Sequence, residues 1–315
     1  MNNSSRWLAV AALVFATVAW GGLFHAGKVA LNNLDPFWFT LLRYTGATML
    51  LAAILRTQGA VRWALLRQHW VRLGSLGLMG YGMFGILVFV GLAHSVPSHG
   101  AVIMATMPVT TLFIRWVFDR QRPQWWAWFA AALAIAGVSL VSGVWDGDKG
   151  FSNSTLPGDL VAFAGTVGWI IYTRGQASLA QLSVIEYTTF TAILALPALL
   201  VIAILATVAG HAHVPAAGNL VAAAPSLIYI VVIATVLAAL AFNKGVRTLG
   251  GTHGIVFINL VPVSALLISI ANGAHINSGE LAGTALVIIA LMLQAAKLGL
   301  WFGPGPTQTL ATAQR

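Results

Sequence analysis

The residues able to do chemistry in this chain are few and stand among apolar neighbours. Arg43 lies seven residues past Pro36, roughly 10 Å along a helix that rises about 1.5 Å per residue. A cation at that depth must face protein or water. Two readings fit it: attraction of a substrate carboxylate or lining of an outer vestibule, or a structural role as an ion pair with Asp35 or Asp159 or a cap on helix carbonyls. Trp20 and Trp169 close two matching sequences, Thr17-Val18-Ala19-Trp20 and Thr166-Val167-Gly168-Trp169. Indole away from an interface needs a partner for its N–H, and a pair placed this way either walls a cavity for a flat side chain or packs the core. Tyr44, Tyr81 and Tyr172 add flat apolar faces that each carry a hydroxyl. Asn243 and Asn259 are neutral polar residues within apolar runs, suited to a substrate amino or carboxyl group. His25 lies deep in the first run. His99 and His253 each precede a glycine where a helix is expected to begin, so each either attends an anion at exposed N–H groups or caps the helix.

What is missing narrows the chemistry further. No Asp or Glu lies deep within an apolar run: Glu186 and Glu280 fall at expected helix starts, and Asp35 and Asp159 at run boundaries. The buried carboxylate relay of proton-coupled carriers is therefore absent. Movement down a gradient is the expectation, with coupling through His25 or His99 as the alternative. No phosphate loop Gly-x-x-x-x-Gly-Lys-Ser/Thr occurs, which argues against ATP-driven pumping. His211-Ala212-His213 has no further ligands near it, so no metal and no cofactor are expected. Cysteine is absent, which excludes disulfides and thiolate chemistry. A membrane enzyme acting on lipid would gather acids, histidines or a nucleophile at one face, whereas the acids here are scattered singly.

The elements that carry these residues follow from composition. Of 315 residues 59% are hydrophobic and 7% charged, against about 25% charged in soluble domains. The chain reads as an all-α polytopic membrane protein. Ten apolar runs are centred near Phe15, Gly46, Met83, Met107, Leu133, Gly165, Leu196, Ile233, Leu260 and Ile288. The net charge of +9 is explained by topology rather than by nucleic acid. With the amino terminus in the cytoplasm, thirteen of the sixteen basic residues fall on the cytoplasmic side, leaving Lys28, Arg43 and Lys149. Both termini are then cytoplasmic, in an inner membrane.

The chain also contains one unit written twice. His99 to Val109 returns as His253 to Val263, and six of fourteen pairs from position 99 to 112 are identical. Gly91 and Gly245 share that offset. Five runs per half, an odd number, make matching runs cross the membrane in opposite directions. The expected organisation is a first repeat over 1–145, an outer linker over 146–156, a second repeat over 157–302 and a disordered tail over 303–315. Duplication of this kind places a substrate site between the halves. Pro108 and Pro262 are expected to bend their helices near mid-span as paired hinges. The glycines of the third run, Gly74 to Gly91, read as a close-packing surface in preference to a broken helix.

Several of these residues together carry a family likeness. They are Trp20-Gly21 followed by Lys28, Pro36 with Arg43, Gly91-Leu92 and the small-residue run ending at Pro108-Val109, then Pro262-Val263 and Gly279-Glu280. In this order the chain resembles the drug/metabolite transporter superfamily, of the EamA type, from about Trp7 to Trp301. The resemblance implies a ten-helix, five-plus-five inverted bundle around a central cavity, working by alternating access. It is most similar to bacterial exporters of aromatic amino acids and related metabolites, with export of drugs or other small metabolites as the alternative. The partners implied are a small-molecule substrate and the lipid bilayer.

Overall fold

A backbone surrounded by apolar side chains in lipid must bond to itself, and helices are the form that lets each segment do so alone. The structure, a computed structural model, describes residues 3–59, 61–95, 100, 103–141, 144, 154–271 and 277–297. Helices account for nearly all of these residues, and no strand occurs among them. In chain order they are α1 (Asn3–Leu31), α2 (Pro36–Thr57), α3 (Trp63–Ala93), α4 (Met107–Asp119), α5 (Trp125–Val141) and α6 (Leu156–Gly175). There follow α7 (Val184–Val208), α8 (Ala217–Leu249), α9 (Gly251–Val256), α10 (Leu260–Ala271) and α11 (Ser278–Lys297). Five of them, in α1, α2, α3, α7 and α8, are long and apolar enough to cross a membrane. Most of the expected linker, and all of the tail over 303–315, lie outside the described residues.

Three acids, Asp35, Glu186 and Glu280, serve helix starts, where the exposed N–H groups need acceptors. Asp35 accepts from Phe37 N and Trp38 N to start α2, with Pro36 in the first turn. Ser183 and Glu186 form a reciprocal capping box on α7. Asn277 and Glu280 exchange backbone hydrogen bonds in the same way, each at 2.8 Å, at the start of α11. Each such cap stabilises its helix by about 1 kcal/mol.

Contacts between loops sort the bundle into two ends. At one, Asp35 accepts from His213 N, and Lys28, Ser95 and Asn219 line the same hollow. At the other, Arg62 pairs with Glu186, Arg174 with Asp119, and Arg247 donates to Leu182 O. The bond from Arg62 to Glu186 holds that guanidinium above its ordinary pKa. It follows that α1 and α3 run toward the Asp35 end, while α6 and α8 run away from it.

Helix pairs meet through small residues, which let backbones approach where lipid supplies no hydrophobic drive for association. A Cβ at Gly91 would lie 2.5 Å from Gly158 O on α6, and one at Gly245 would lie 3.1 Å from Ala9 O on α1. Gly137 and Gly283 join α5 to α11 in the same way. The glycines of α3 are thus a packing surface.

Interruptions, by contrast, include a kink at His69 in α3, where φ is -117° and ψ 18°, and four further places. α3 widens into a π-turn over Leu78–Met83, and α8 into another over Ile230–Leu237. A turn at Thr106 precedes α4, and a 3-10 turn over Phe257–Asn259 separates α9 from α10. Pro108 and Pro262 therefore do not bend continuous helices. Each stands in the first turn after a break, where its missing N–H costs nothing.

Gly77 tests the packing. A Cβ there would lie 2.1 Å from Thr191 O on α7, whereas one at Gly218 meets nothing within 4 Å. Gly77→Leu is expected to destabilise by about 3 kcal/mol or more, seen as loss of the monodisperse peak in size-exclusion chromatography. Gly218→Leu should elute and unfold as the parent does.

Candidate functional site

Between α1, α2, α3, α6 and α8 the side chains enclose a cavity of about 30 Å³, room for roughly two waters. Trp20, Arg43, Tyr44, Tyr81 and Trp169 line it together with Phe84, Phe89, Met104 and Thr235. Trp20 and Trp169 meet edge to face, with centroids 5.5 Å apart. Phe84 packs on Trp169 at 5.1 Å, and Tyr44 on Tyr81 at 4.9 Å. An indole or phenyl ligand would enter only as these rings part.

One charge sits in this aromatic shell. Arg43 is 4% exposed; its Nε donates to Thr235 Oγ1 at 2.7 Å, and its guanidinium lies over the rings of Tyr44 and Phe89. Its Nη1 is buried and unpartnered. The ion-pair alternative fails. Asp35 is engaged at its own helix start and with His213 N, Asp159 accepts from Ser95, and no carboxylate among the described residues pairs with Arg43.

The two indoles differ in a way their sequences hide. Trp20 Nε1 donates to Ala234 O, within the π-turn of α8, at 2.8 Å. Trp169 Nε1 is buried with no partner.

Behind Tyr81 lies a polar network. Its hydroxyl shares a 2.9 Å hydrogen bond with that of Tyr172 and reaches Thr188 O and Thr191 Oγ1 at 3.3 Å. Asn243 Nδ2 donates to Tyr172 Oη at 2.8 Å and to Thr188 Oγ1 at 2.9 Å. Tyr172 and Asn243 therefore support the cavity wall without lining it.

The remaining candidates lie elsewhere. His25 is exposed on α1 outside the cavity, and Lys28 opens on the hollow at the Asp35 end. His253 is the third residue of α9, and its Nδ1 bonds Leu249 O, the carbonyl end of the preceding helix, in place of the N-terminal position expected. Asn259 is 0% exposed in the 3-10 turn, with both amide atoms unpartnered. His99 lies outside the described residues. Among the described residues no cluster of His, Cys, Asp or Glu fits a metal.

Phe89 was not legible as a site residue, since its sequence neighbours are all apolar. It lines both the central cavity and the hollow of about 670 Å³ at the Asp35 end. Toward the opposite end a hollow of about 540 Å³ begins at Thr173, one turn beyond Trp169, and shares no lining residue with the cavity.

Comparison with known proteins adds the following. The profile of the EamA-like transporter family matches residues 7–143 and 156–295. The uncharacterized transporter YrdR of Bacillus subtilis is 26% identical over 310 residues, covering 93% of this chain and 92% of its own. A probable terminal-alkyne amino-acid exporter of Streptantibioticus cattleyicolor is 25% identical over 291 residues, covering 90% and 92%. A solved crystal structure matches with a TM-score of 0.73 at 19% identity, over 95% of this chain and 98% of its own, which speaks for the fold alone.

The two buried asparagines give opposite expectations. Asn243→Leu strips donors from two hydroxyls and should destabilise by about 1–3 kcal/mol. Asn259→Leu removes an amide with no partner and should leave stability unchanged or raised. Thermal unfolding followed by tryptophan fluorescence in detergent distinguishes them.

Proposed function

The chain belongs to the EamA-like transporter family and is a multi-pass membrane transporter; we propose that it exports amino acids, aromatic ones foremost, with related metabolites. The observation that carries this reading is Arg43, a buried guanidinium inside an aromatic shell with no carboxylate partner among the described residues. Burying a charge unpaired is expensive, and a ligand carboxylate would offset that cost. The rings around it supply stacking area for the rest of the ligand. Charge also separates this reading from export of cationic drugs. At an effective dielectric of about 20, two unit charges about 4 Å apart interact by about 4 kcal/mol, which favours an anionic group beside Arg43 and opposes a cation. The exporter of Streptantibioticus cattleyicolor, named for an amino acid, agrees with that class.

The mechanism we propose is alternating access by two inverted repeats. Four features support it: α1 and α6 run in opposite directions, as do α3 and α8, and the π-turns and glycine contacts recur in both halves. The arginine-rich end, with Arg62, Arg115, Arg174 and Arg247, is assigned to the cytoplasm of a bacterial inner membrane, which places both termini there. The turns before Pro108 and Pro262, together with the π-turns, are the proposed hinges. Transport runs down the substrate gradient, since the cavity has no carboxylate among its lining residues.

Counterflow in proteoliposomes with labelled tryptophan, phenylalanine, threonine and a quaternary cation tests the proposal. Aromatic amino acids should exchange without a pH gradient, and Arg43→Gln should cut that exchange at least about tenfold, the equivalent of about 1.4 kcal/mol, with abundance and elution unchanged. Trp20→Ala and Trp169→Ala should lower aromatic transport in the same way. Transport of the cation alone would overturn the substrate class, and strict dependence on a pH gradient would overturn the facilitated mechanism.

A further inference from the structure

At the Glu186 end, the last turn of α6 faces the close of α4 and the junction of α8 with α9 across a cavity of about 540 Å³. Three of its lining residues hold buried donors with nothing to bond: Thr173 Oγ1, Arg174 Nη1 and Gln176 Nε2. Thr173 is 2% exposed and Gln176 3%. A buried donor left unpaired is costly, and native structures rarely keep one without a reason. The three fall within four residues, on side chains that line one space. Charge in the wall has the same bias. Arg115, Arg174 and Arg247 line the cavity against the single carboxylate of Asp119. Asp119 is engaged by Arg174 Nη2 at 2.7 Å, and Arg247 is held by a neutral acceptor, Leu182 O, at 2.6 Å. Gly250, at φ 94°, turns the chain at the far wall and adds no side chain there.

We propose that this cavity is an oxyanion site, separate from the central one, that takes a carboxylate or phosphate group. Arg174 Nη1 and Gln176 Nε2 donate N–H, and Thr173 donates O–H. This donor set suits the two or three oxygens of such a group, and charge-assisted bonds of this type are about twice as strong as neutral ones. Asp119 keeps Arg174 in place while the second nitrogen of its fork serves the ligand. The site shares no lining residue with the Arg43 cavity, so it does not depend on what that cavity carries.

Full-length protein carrying Arg43→Gln, in nonionic detergent at neutral pH, removes the central site from the test. Its thermal midpoint, read by tryptophan fluorescence, is titrated with sodium phosphate and with sodium benzoate against sodium chloride at matched ionic strength. Saturable stabilisation by phosphate, benzoate or both, beyond that of chloride, is expected. In the same background Gln176→Glu and the near-isosteric Thr173→Val should each raise the half-saturating concentration about tenfold or more. Should Gln176→Glu fail to fold, Thr173→Val alone carries the comparison. Stabilisation by benzoate assigns the site to carboxylates, and by phosphate alone to phosphate; vesicles with and without an anionic phospholipid then separate a headgroup from the free ion. No effect beyond chloride, or variants that titrate as their parent does, would overturn the proposal. Loss of stabilised binding here with aromatic exchange intact in the parent chain would leave the central reading standing.

Discussion

Inside a bundle that faces lipid, every polar backbone group has to find its partner within the protein, and the central site depends on how α8 meets that demand. The π-turn over Ile230–Leu237 loosens the regular helical ladder, and within it Ala234 O accepts the Trp20 indole while Thr235 Oγ1 accepts from Arg43 Nε. Two adjacent residues of one turn thus fix an aromatic wall from α1 and the buried cation from α2. A regular helix would advance the next residue by about 100°, so the same pair of groups would not be presented with the same spacing. The turn in α3 acts likewise, setting Tyr81 against Tyr172 and Tyr44. Wide turns of this sort are uncommon and recur at functional positions.

The electrostatics of the bundle follow from keeping charge at its ends. Asp35 and Glu186 serve helix starts, and most arginines gather with Glu186 and Asp119, where water and carboxylates can meet them. Arg43 is the departure from this pattern. Its cation lies over two aromatic rings, each contact worth about 2 kcal/mol or somewhat more when desolvated. That is less than the several kcal/mol that burying an ion costs. On the proposed reading, a ligand's negative charge would make up the difference. Phe89 lines both the Arg43 cavity and the hollow at the Asp35 end, whereas the rings of Phe242 and Tyr172 pack on Trp169.

Much of the scaffold was legible in the sequence because its signals are local. Asp35-Pro36 announces a helix start, Glu186 another, and the spaced glycines of α3 a packing face. Arg43, Trp20, Trp169, Tyr44 and Tyr81 stood out because polar or amphipathic groups are rare in apolar runs, and all five line the cavity. Phe84, Phe89 and Phe242 did not, since an apolar ring in an apolar run reads the same whether it faces lipid, core or ligand. Nor were the π-turns visible: Leu78–Met83 and Ile230–Leu237 differ in composition, and one is rich in β-branched residues. Thr173 and Gln176 read as an ordinary polar helix end, and only the fold shows that they are buried.

The comparison of matched positions separates scaffold from site. Gly91 and Gly245 keep the same residue and the same task, close approach to a facing helix. Tyr81 and Thr235 occupy matching places in the two π-turns yet differ, one joining a hydroxyl network and the other holding Arg43. Trp20 and Trp169 are identical in type but not in bonding. The residue matching Ala234 at the 154-residue offset is Gly80, so symmetry would direct Trp169 Nε1 to Gly80 O, and that bond is unmade. On the inverted-repeat reading, the two access states exchange the roles of the halves. Forming the Trp169 bond while releasing that of Trp20 would then cost little, since one indole hydrogen bond replaces another. A near-balanced exchange is what a two-state carrier requires, because a ligand can shift an equilibrium only by its difference in affinity for the two states. On the same reading the differing residues, Arg43 above all, would give the ligand that difference.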